Sequence, residues 1–315
     1  MNADITKIGY DIIGDIHGYY GELKLMLQKL GYSSENGYWS HKENRIAVFI
    51  GDFINRGSNS REVISCIREM VENGAARAIL GNHEINAITY FTKRSDGRPI
   101  KMPSNGNRKL LDRFAFEYGK DLESLMHDIK WMRTLPLYLN LDDIRVVHAY
   151  WNDQHITQLH QLYEGGRLRK KHLKEAVKKD TLLYRPFMET IKGIEFNLPD
   201  DLIIKDSNNI TRRNFRVKWW LAPHGQTFRS LSYGNKFSLP NYTIPSEIIS
   251  NYKVYPENAK TVFIGHYCAG MEKLIPAKNI CCVDACVANG GKLAAYRHEF
   301  NQAIDEENFV FIDKK

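Results

Sequence analysis

The sequence predicts a layered α/β protein whose polar site lies where several strands end. In the first half of the chain, short apolar runs alternate with stretches of helical spacing. Five of the apolar runs along the chain end in His, Asp or Asn. In layered α/β proteins the carboxyl ends of strands converge on the crevice where ligands bind. Polar residues from separate strands are therefore expected to meet at one place.

The first two units each combine a strand with a helix. The apolar run 10–15 (YDIIGD) precedes a helical pattern over 21–32, with Gly31 at the C-cap position. The run 45–52 (RIAVFIGD) precedes a second helical pattern over 60–74. The same change from apolar strand to polar loop recurs at residues 76–84 (ARAILGNHE), 144–151 (IRVVHAYW) and 260–267 (KTVFIGHY).

Between the last two of these strands the alternation breaks down. Residues 153–258 hold a basic helical stretch followed by short β-like segments separated by Asp-Asp, Asn-Asn and Pro turns. We interpret this region as a cap inserted into one domain that spans residues 1–315. Such a cap would lie beside the site and determine specificity.

Composition indicates an ordinary globular protein. Hydrophobic residues make up 43% of the 315 residues and charged residues 26%, and there is no run of about 18 or more apolar residues. The N-terminus lacks the pattern of a secretory signal, so we expect a cytoplasmic protein without a membrane partner. The five cysteines lack zinc-site spacing and are expected to be reduced thiols in the core or near the site.

The net charge of +7 favours anionic partners. Residues 167–179 (RLRKKHLKEAVKK) carry much of the excess positive charge. A run of this kind is usually a solvated helical face, and no recognised nucleic-acid-binding module accompanies it. We therefore expect a phosphorylated protein, a small phosphoester or a nucleotide as partner, rather than nucleic acid.

The polar residues at the strand ends form a candidate metal site. Their oxygen and imidazole donors suit Mn²⁺, Fe or Zn²⁺ better than a soft metal. Each residue alone has an ordinary reading as a turn former, a helix cap or a structural histidine. In GDIHG, GDFINRG and GNHE, however, glycine directly precedes the candidate ligand, where the backbone needs room to turn. The candidate ligands are Asp15, His17, Asp52, Asn82, His148 and His266.

Together these motifs resemble the calcineurin-like metallophosphoesterases, in particular the serine/threonine-type phosphoprotein phosphatase branch and its bacterial members. GDIHG, GDFINRG, GNHE, VVH and GH follow the family's order, and VDACVANGGKLAAYRH resembles its C-terminal strand pair. The resemblance implies a central β-sandwich flanked by helices. It also implies a dinuclear centre formed by the six ligands, with two divalent ions, Mn²⁺ first and Fe or Zn²⁺ as alternatives. Two metals about 3.5–4 Å apart polarise a phosphoryl oxygen and generate hydroxide at neutral pH.

The resemblance also implies roles for the residues around the metals. His83 would be the general acid toward the leaving group, and Asn82 and Arg56 would contact the phosphate, Arg56 through its planar fork. A second phosphate-binding arginine is expected, and Leu182-Leu183-Tyr184-Arg185 resembles its position in bacterial relatives. We assign it to Arg185, with Arg216 as the alternative.

Asn55 is a departure from the protein-phosphatase motif, which has Asp at this position, paired with the general-acid histidine. An amide can hold His83 but adds no charge that would favour its protonated form. Proton donation matters most for a poor leaving group such as a serine alkoxide. Asn55 therefore favours aryl, phosphotyrosine-like or anhydride substrates. The alternative is that Asn55 only positions His83, while Glu84 or a water supplies the missing charge.

The leading functional prediction is a metal-dependent phosphatase for phosphomonoesters, such as those of phosphoproteins. The motifs do not separate this activity from a symmetrical dinucleoside-tetraphosphate hydrolase. A third prediction, a nucleic-acid-binding protein without activity, is disfavoured because all six ligand positions are intact. The sequence leaves open the physiological substrate, the native metal pair, the oligomeric state and the role of residues 167–179.

Overall fold

The computed structural model describes residues 9–35, 37–164, 167–205, 211–234, 239–270 and 272–314. A search of these residues finds no helix both long and apolar enough to cross a membrane. The strands, in chain order, are β1 (Gly9–Ile13), β2 (Tyr32–Ser33), β3 (Ser40–His41), β4 (Ile46–Phe49), β5 (Ala76–Ala78), β6 (Tyr138–Asn140), β7 (Ile144–Val147), β8 (Tyr163–Glu164), β9 (Arg167–Leu168), β10 (Glu195–Asn197), β11 (Ile204–Lys205), β12 (Thr211–Arg212), β13 (Asn214–Arg216), β14 (Thr261–Ile264), β15 (Ile280–Cys282), β16 (Lys292–Glu299) and β17 (Phe309–Asp313).

The helices surround these strands. They are α1 (Tyr20–Lys29), α2 (Ser60–Glu72), α3 (Asn82–Phe91), α4 (Asn105–Phe116), α5 (Leu122–Met132), α6 (Asp153–His160), α7 (Lys170–Ala176), α8 (Tyr184–Lys192) and α9 (Phe228–Leu231), with short 3₁₀ turns at Val287–Asn289 and Glu306–Asn308.

Two larger sheets position the site. The first has the strand order β17-β16-β1-β4-β5, with β1, β4 and β5 parallel and β16 antiparallel to both of its neighbours. The second has the order β15-β14-β7-β6, with β7, β14 and β15 parallel and β6 antiparallel. Because the parallel strands of each sheet run in one direction, their carboxyl ends lie along the same sheet edge.

The two sheets pack against each other through apolar side chains. Ile12 and Val48 of the first sheet share a buried cluster with Val146 and Phe263 of the second. Every residue of β1 is buried, as expected for a strand covered on both faces. The predicted β-sandwich flanked by helices is therefore confirmed.

Helices cover the outer face of the first sheet. Leu23, Met26 and Leu27 of α1 are fully buried, in agreement with the predicted helical spacing. The helix ends at Lys29, and Gly31 follows with φ +90°, a left-handed conformation that glycine adopts without strain.

The region between β7 and β14 packs mainly on the second sheet. Phe196 of β10 and Phe215 of β13 share a buried cluster with Val147, Val262 and Ile264 of that sheet. The helices of this region also contact the helical layer, through residues such as Phe187 of α8. The region thus shares its core with the rest of the chain, and the boundaries 153–258 and the specificity role stay a prediction.

Candidate metal and phosphate site

The predicted ligands come together at the carboxyl ends of strands from both sheets. Asp15 and His17 follow β1, Asp52 follows β4, and Asn82 begins α3 after β5. His148 directly follows β7, and His266 follows β14 by two residues. All except His148 line a cavity of about 440 Å³. His148 is fully buried beside Asp52.

Asp52 lies at the centre of the group. Its Oδ1 is 3.3 Å from Nε2 of His148, and its Oδ2 is 3.9 Å from Nε2 of His17. The donor atoms of Asp52, His148 and His266 lie within 4.8 Å of one another. Those of His17, Asp52 and His83 form a second group within the same limit. Asp52 is thus common to two potential metal-binding groups.

The backbone orients the imidazole rings toward the centre. Nδ1 of His148 donates to the Ile50 carbonyl at 2.8 Å, and Nδ1 of His17 to the Ile54 carbonyl at 3.3 Å. With Nδ1 as donor, Nε2 presents a lone pair. Within the described residues, Nε2 of His148, Nε2 of His266 and Oδ1 of Asn82 are buried without a hydrogen-bond partner. Three buried polar atoms without a partner beside a carboxylate are what a bound cation would satisfy, so the residues fit a metal centre.

The buried acidic groups also fit a bound cation. Burial and the nearby carboxylates of Asp284 and Asp52 raise the pKa of Asp15 well above its usual range. Burial also opposes ionisation of Asp52, but His148 and His83 hold the pKa of Asp52 well below its usual range. A divalent ion would relieve the repulsion between these buried carboxylates.

Glycines make the close approach possible. A Cβ on Gly81 would overlap Oδ1 of Asp52 and lie 2.5 Å from the Asp52 backbone nitrogen. A Cβ on Gly265 would overlap Oδ1 of Asp15. Gly81, before Asn82, and Gly265, before His266, therefore provide space for the carboxylates of Asp52 and Asp15.

Glu84 is a structural residue of the site whose role sequence reasoning missed. Its fully buried carboxylate accepts the backbone N–H groups of Asp52 at 2.8 Å, Phe53 at 2.9 Å and Gly81 at 2.9 Å. Burial and the charge of Asp52 raise the pKa of Glu84 to about 7. The signal was the capping-box spacing of Gly81 and Glu84 around the start of α3. Glu84 fixes the GDFINRG loop by these bonds, rather than supplying a charge to His83 by a hydrogen bond.

Asn55 and His83 are in contact. The side-chain amide of Asn55 lies 2.9 Å from Nδ1 of His83, and both residues are buried. In this orientation the amide donates to Nδ1, so the proton of the neutral ring lies on Nε2. Oδ1 of Asn55 has no hydrogen-bond partner among the described residues.

The structure separates the predicted arginines. Arg56 lines the cavity, whereas Arg185 does not: its guanidinium donates to Glu189 at 2.7 Å and to the Asn251 carbonyl at 2.6 Å. Arg216, the alternative, does line the cavity, and its Nη1 donates to the His266 carbonyl at 3.3 Å. Arg185 is held away by its own helix, since Glu189 lies four residues further along α8.

The expectation that all cysteines are reduced thiols was wrong for two of them. Cys268 and Cys286 form a disulfide and both line the cavity. Cys66, Cys281 and Cys282 are buried free thiols, as expected.

Comparison with known proteins agrees with this geometry. A family model described as "Calcineurin-like phosphoesterase" matches residues 10–269. A Bacillus subtilis protein named "Bis(5'-nucleosyl)-tetraphosphatase PrpE [asymmetrical]" is 37% identical over 45% of this chain, and the match covers 57% of that protein. A Buchnera aphidicola protein named "Bis(5'-nucleosyl)-tetraphosphatase, symmetrical" is 25% identical over 95% of this chain and 98% of its own length.

The fold also matches a solved structure. The cold-active protein-tyrosine phosphatase of a psychrophilic Shewanella species superposes with a TM-score of 0.51 at 16% identity. The superposition covers 98% of this chain and 81% of the phosphatase. At this level of identity the similarity concerns the fold alone.

Proposed function

The chain belongs to the calcineurin-like phosphoesterase family, and we propose that it hydrolyses a phosphate bond whose leaving group needs little help from an acid. The observation that carries the proposal is the hydrogen bond from the Asn55 amide to Nδ1 of His83. An amide orients the imidazole but adds no negative charge to stabilise its protonated form.

The metal-binding role rests on the donor set. We propose that Asp52 would contribute to the binding of two divalent ions. Mn²⁺ is the favoured metal, and Fe and Zn²⁺ are alternatives. When bound, the two ions would supply Lewis-acid activation of the phosphate and of the attacking water. The residues that would hold them are Asp15, His17, Asp52, Asn82, His148 and His266.

The remaining residues bind the phosphate and move a proton. Arg56 and Arg216 both line the cavity, so both guanidinium groups can bind phosphate oxygens there. His83 also lines the cavity, and its Nε2 proton is the one available to the leaving oxygen. Its proximity to Asp52 and His17 would equally permit a role as ligand. We favour the acid role because Asn55 fixes the ring through Nδ1.

The preferred class of leaving group follows from the weakness of His83 as a general acid. A phenolate has a conjugate-acid pKa near 10, and a nucleotide phosphate leaves as a still weaker base, whereas an alkoxide is a far stronger one. Aryl monoesters, including phosphotyrosine, and phosphate anhydrides are therefore the favoured substrate classes. Phosphoserine peptides should react more slowly.

A dinucleoside tetraphosphate is the second candidate substrate. Two kinds of relative carry bis(5'-nucleosyl)-tetraphosphatase names, one of them matching nearly the whole chain. Arg212 lines the cavity in addition to Arg56 and Arg216, which suits a substrate with several negatively charged phosphates. We infer that dinucleoside tetraphosphates and aryl monoesters are the two candidate classes of natural substrate.

A substrate panel tests the proposal. Chelator-treated protein would be assayed with and without Mn²⁺ on p-nitrophenyl phosphate, a phosphotyrosine peptide, a phosphoserine peptide and diadenosine tetraphosphate. We expect Mn²⁺-dependent turnover of the aryl or anhydride substrates and at least about tenfold lower kcat/KM for phosphoserine. Two nucleoside diphosphates as products would indicate symmetrical cleavage of the anhydride. Absence of turnover on the whole panel with Mn²⁺ would contradict the proposal.

A further inference from the structure

A disulfide joins two segments of the cavity wall. Cys268 and Cys286 are 18 positions apart, with a Cα–Cα distance of 4.6 Å. Both line the cavity and retain slight exposure, 9% for Cys268 and 8% for Cys286. The bridge is therefore adjacent to the candidate metal site and can be approached from the cavity.

One half of the bridge lies in the segment that carries His266. The His266 N–H donates to the Asp15 carboxylate at 3.1 Å, and two residues later the Cys268 N–H donates to Asp284 at 2.6 Å. His266 and Cys268 have φ values of +66° and +47°. This left-handed conformation is unfavourable for a residue other than glycine. The segment therefore needs restraint from its surroundings.

The other half is anchored to the first sheet. The Cys286 N–H donates to the second carboxylate oxygen of Asp284 at 2.9 Å, and the Lys292 N–H at the start of β16 donates to the Ala285 carbonyl at 3.0 Å. β14, which leads to His266, and β15, which leads to Cys286, are neighbouring parallel strands of the second sheet, whereas β16 belongs to the first. The bridge thus ties the His266 segment to the link that runs from β15 of the second sheet to β16 of the first.

We propose that the Cys268–Cys286 pair is a reversible redox modification site whose disulfide form fixes His266 in its position toward Asp52. Reduction would leave the segment held by the hydrogen bonds to Asp15 and Asp284 and by packing. The consequence for metal affinity rests on the proposed function, because it requires His266 to be a ligand. The expected loss of order in the His266 segment on reduction does not rest on the proposed function.

The chemical step is thiol–disulfide exchange with a low-molecular-weight thiol. A thiolate attacks one sulfur and forms a mixed disulfide, and the displaced cysteine thiolate takes up a proton. A second thiol then attacks the mixed disulfide, so the small molecules leave as their own disulfide. The two protein sulfurs gain two electrons and two protons in total. Oxidation by a small-molecule disulfide reverses both steps.

The first measurement counts thiols. The full-length protein would be equilibrated with oxidised or reduced glutathione, denatured and alkylated, and its mass measured. We expect three alkylated cysteines after oxidation and five after reduction, since the chain has five cysteines in total. Phosphate in the cavity should slow reduction, because it blocks the approach to the bridge. Five alkylated cysteines under both conditions would overturn the proposal.

The second measurement follows the His266 segment. After reduction, hydrogen exchange of the peptide containing residues 265–270 should accelerate at least about tenfold, and the dissociation constant for Mn²⁺ should rise by a similar factor. The double variant Cys268→Ser/Cys286→Ser should behave like the reduced protein under both conditions. Cys66→Ala, at a buried thiol away from the cavity, should respond to glutathione as the parent does.

The outcomes separate the two proposals. Unchanged exchange of residues 265–270 on reduction would overturn the redox inference, whatever the metal result. Faster exchange without Mn²⁺ binding in either state would support the inference and contradict the proposed metal centre. An equal response of the parent and the double serine variant to glutathione would also overturn the inference.

Discussion

The side-chain amide of Asn55 lies 2.9 Å from Nδ1 of His83, within hydrogen-bond distance, in a buried position beside Asp52. A carboxylate at this position could only accept a hydrogen bond from Nδ1–H of the ring. The amide, in this orientation, donates a hydrogen bond to Nδ1 instead. The identity of residue 55 therefore determines both the position of the ring proton and the charge beside it.

We predict that Asn55→Asp will raise turnover of alkyl phosphates relative to aryl phosphates. The new carboxylate would favour the doubly protonated imidazole, which is a stronger acid toward a poor leaving group. The ratio of alkyl to aryl kcat/KM should rise about tenfold or more. Asn59→Asp, at an exposed position on the same loop, makes the same charge change without contacting His83 and should leave the ratio unaltered. Equal changes in both rates of Asn55→Asp would refute the leaving-group argument.

Gly81→Ala should abolish metal binding and activity. The added methyl would overlap Oδ1 of Asp52, so the carboxylate common to both metal groups must move. We expect kcat/KM to fall at least about 100-fold, consistent with misplacement of a reacting group by about 1 Å. Gly21→Ala in α1 is the control, because its Cβ meets nothing within 4 Å. Metal content after dialysis and the rate on p-nitrophenyl phosphate would be measured for both, and normal Mn²⁺ binding by Gly81→Ala would contradict this account.

The two arginines predicted as alternatives can be separated by paired substitution. Arg216→Ala removes a guanidinium from the cavity and should lower kcat/KM about 10–100-fold, in line with one charged hydrogen bond to phosphate. Arg185→Ala should stay within about twofold of the parent, because Arg185 contacts Glu189 and the Asn251 carbonyl instead. Steady-state kinetics on one aryl phosphate suffices. A larger loss for Arg185→Ala would restore the original assignment of Arg185.

The metal-free protein should lose stability as the pH falls below about 6.5. Burial and the neighbouring His83 lower the pKa of His17 to about 3, from an ordinary value of 6.5. Between these values the unfolded chain binds a proton that the folded protein does not, so lower pH favours unfolding. The contribution of His17 is at most about 1.4 kcal/mol per pH unit. The free energy of unfolding would be measured by urea denaturation at several pH values. Its dependence on pH should be weaker for His17→Asn than for the parent. Identical pH dependences would show that His17 is not buried as a neutral ring.

The strand-end motifs were sufficient to predict which side chains meet. Asp15, Asp52 and His148 each follow an apolar strand, and strands of this kind run parallel and end at one edge. The glycines of these motifs were expected to give the backbone room to turn, as Gly51 does with φ +97°. That Gly81 also leaves space for the Asp52 carboxylate was evident only from the structure. Periodicity also predicted the buried faces of α1 and α2, because the alternation of apolar and polar residues reports the burial of one face directly.

Contacts between side chains from separate segments could not be predicted from such local patterns. Cys268 and Cys286 follow β14 and β15, which pair as parallel neighbours in the second sheet, and no local pattern encodes that pairing. Glu84 is also an unremarkable acidic residue in a helix start until the GDFINRG loop folds over it. The sequence favoured Arg185 over Arg216, whereas Arg216 is the one that lines the cavity, since the direction of a long side chain depends on which partners lie nearby.

By itself the sequence determined the α/β class, the six candidate ligands and the substitution of Asn55 for a carboxylate, because these depend on residue identity and local periodicity. The tertiary structure alone decided that Asn55 contacts His83, that Arg216 rather than Arg185 faces the cavity, and that Cys268 joins Cys286. Each of these depends on the packing of segments far apart in the chain. Such packing is a property of the whole core, in which many weak contacts act together, and no short stretch of sequence specifies it.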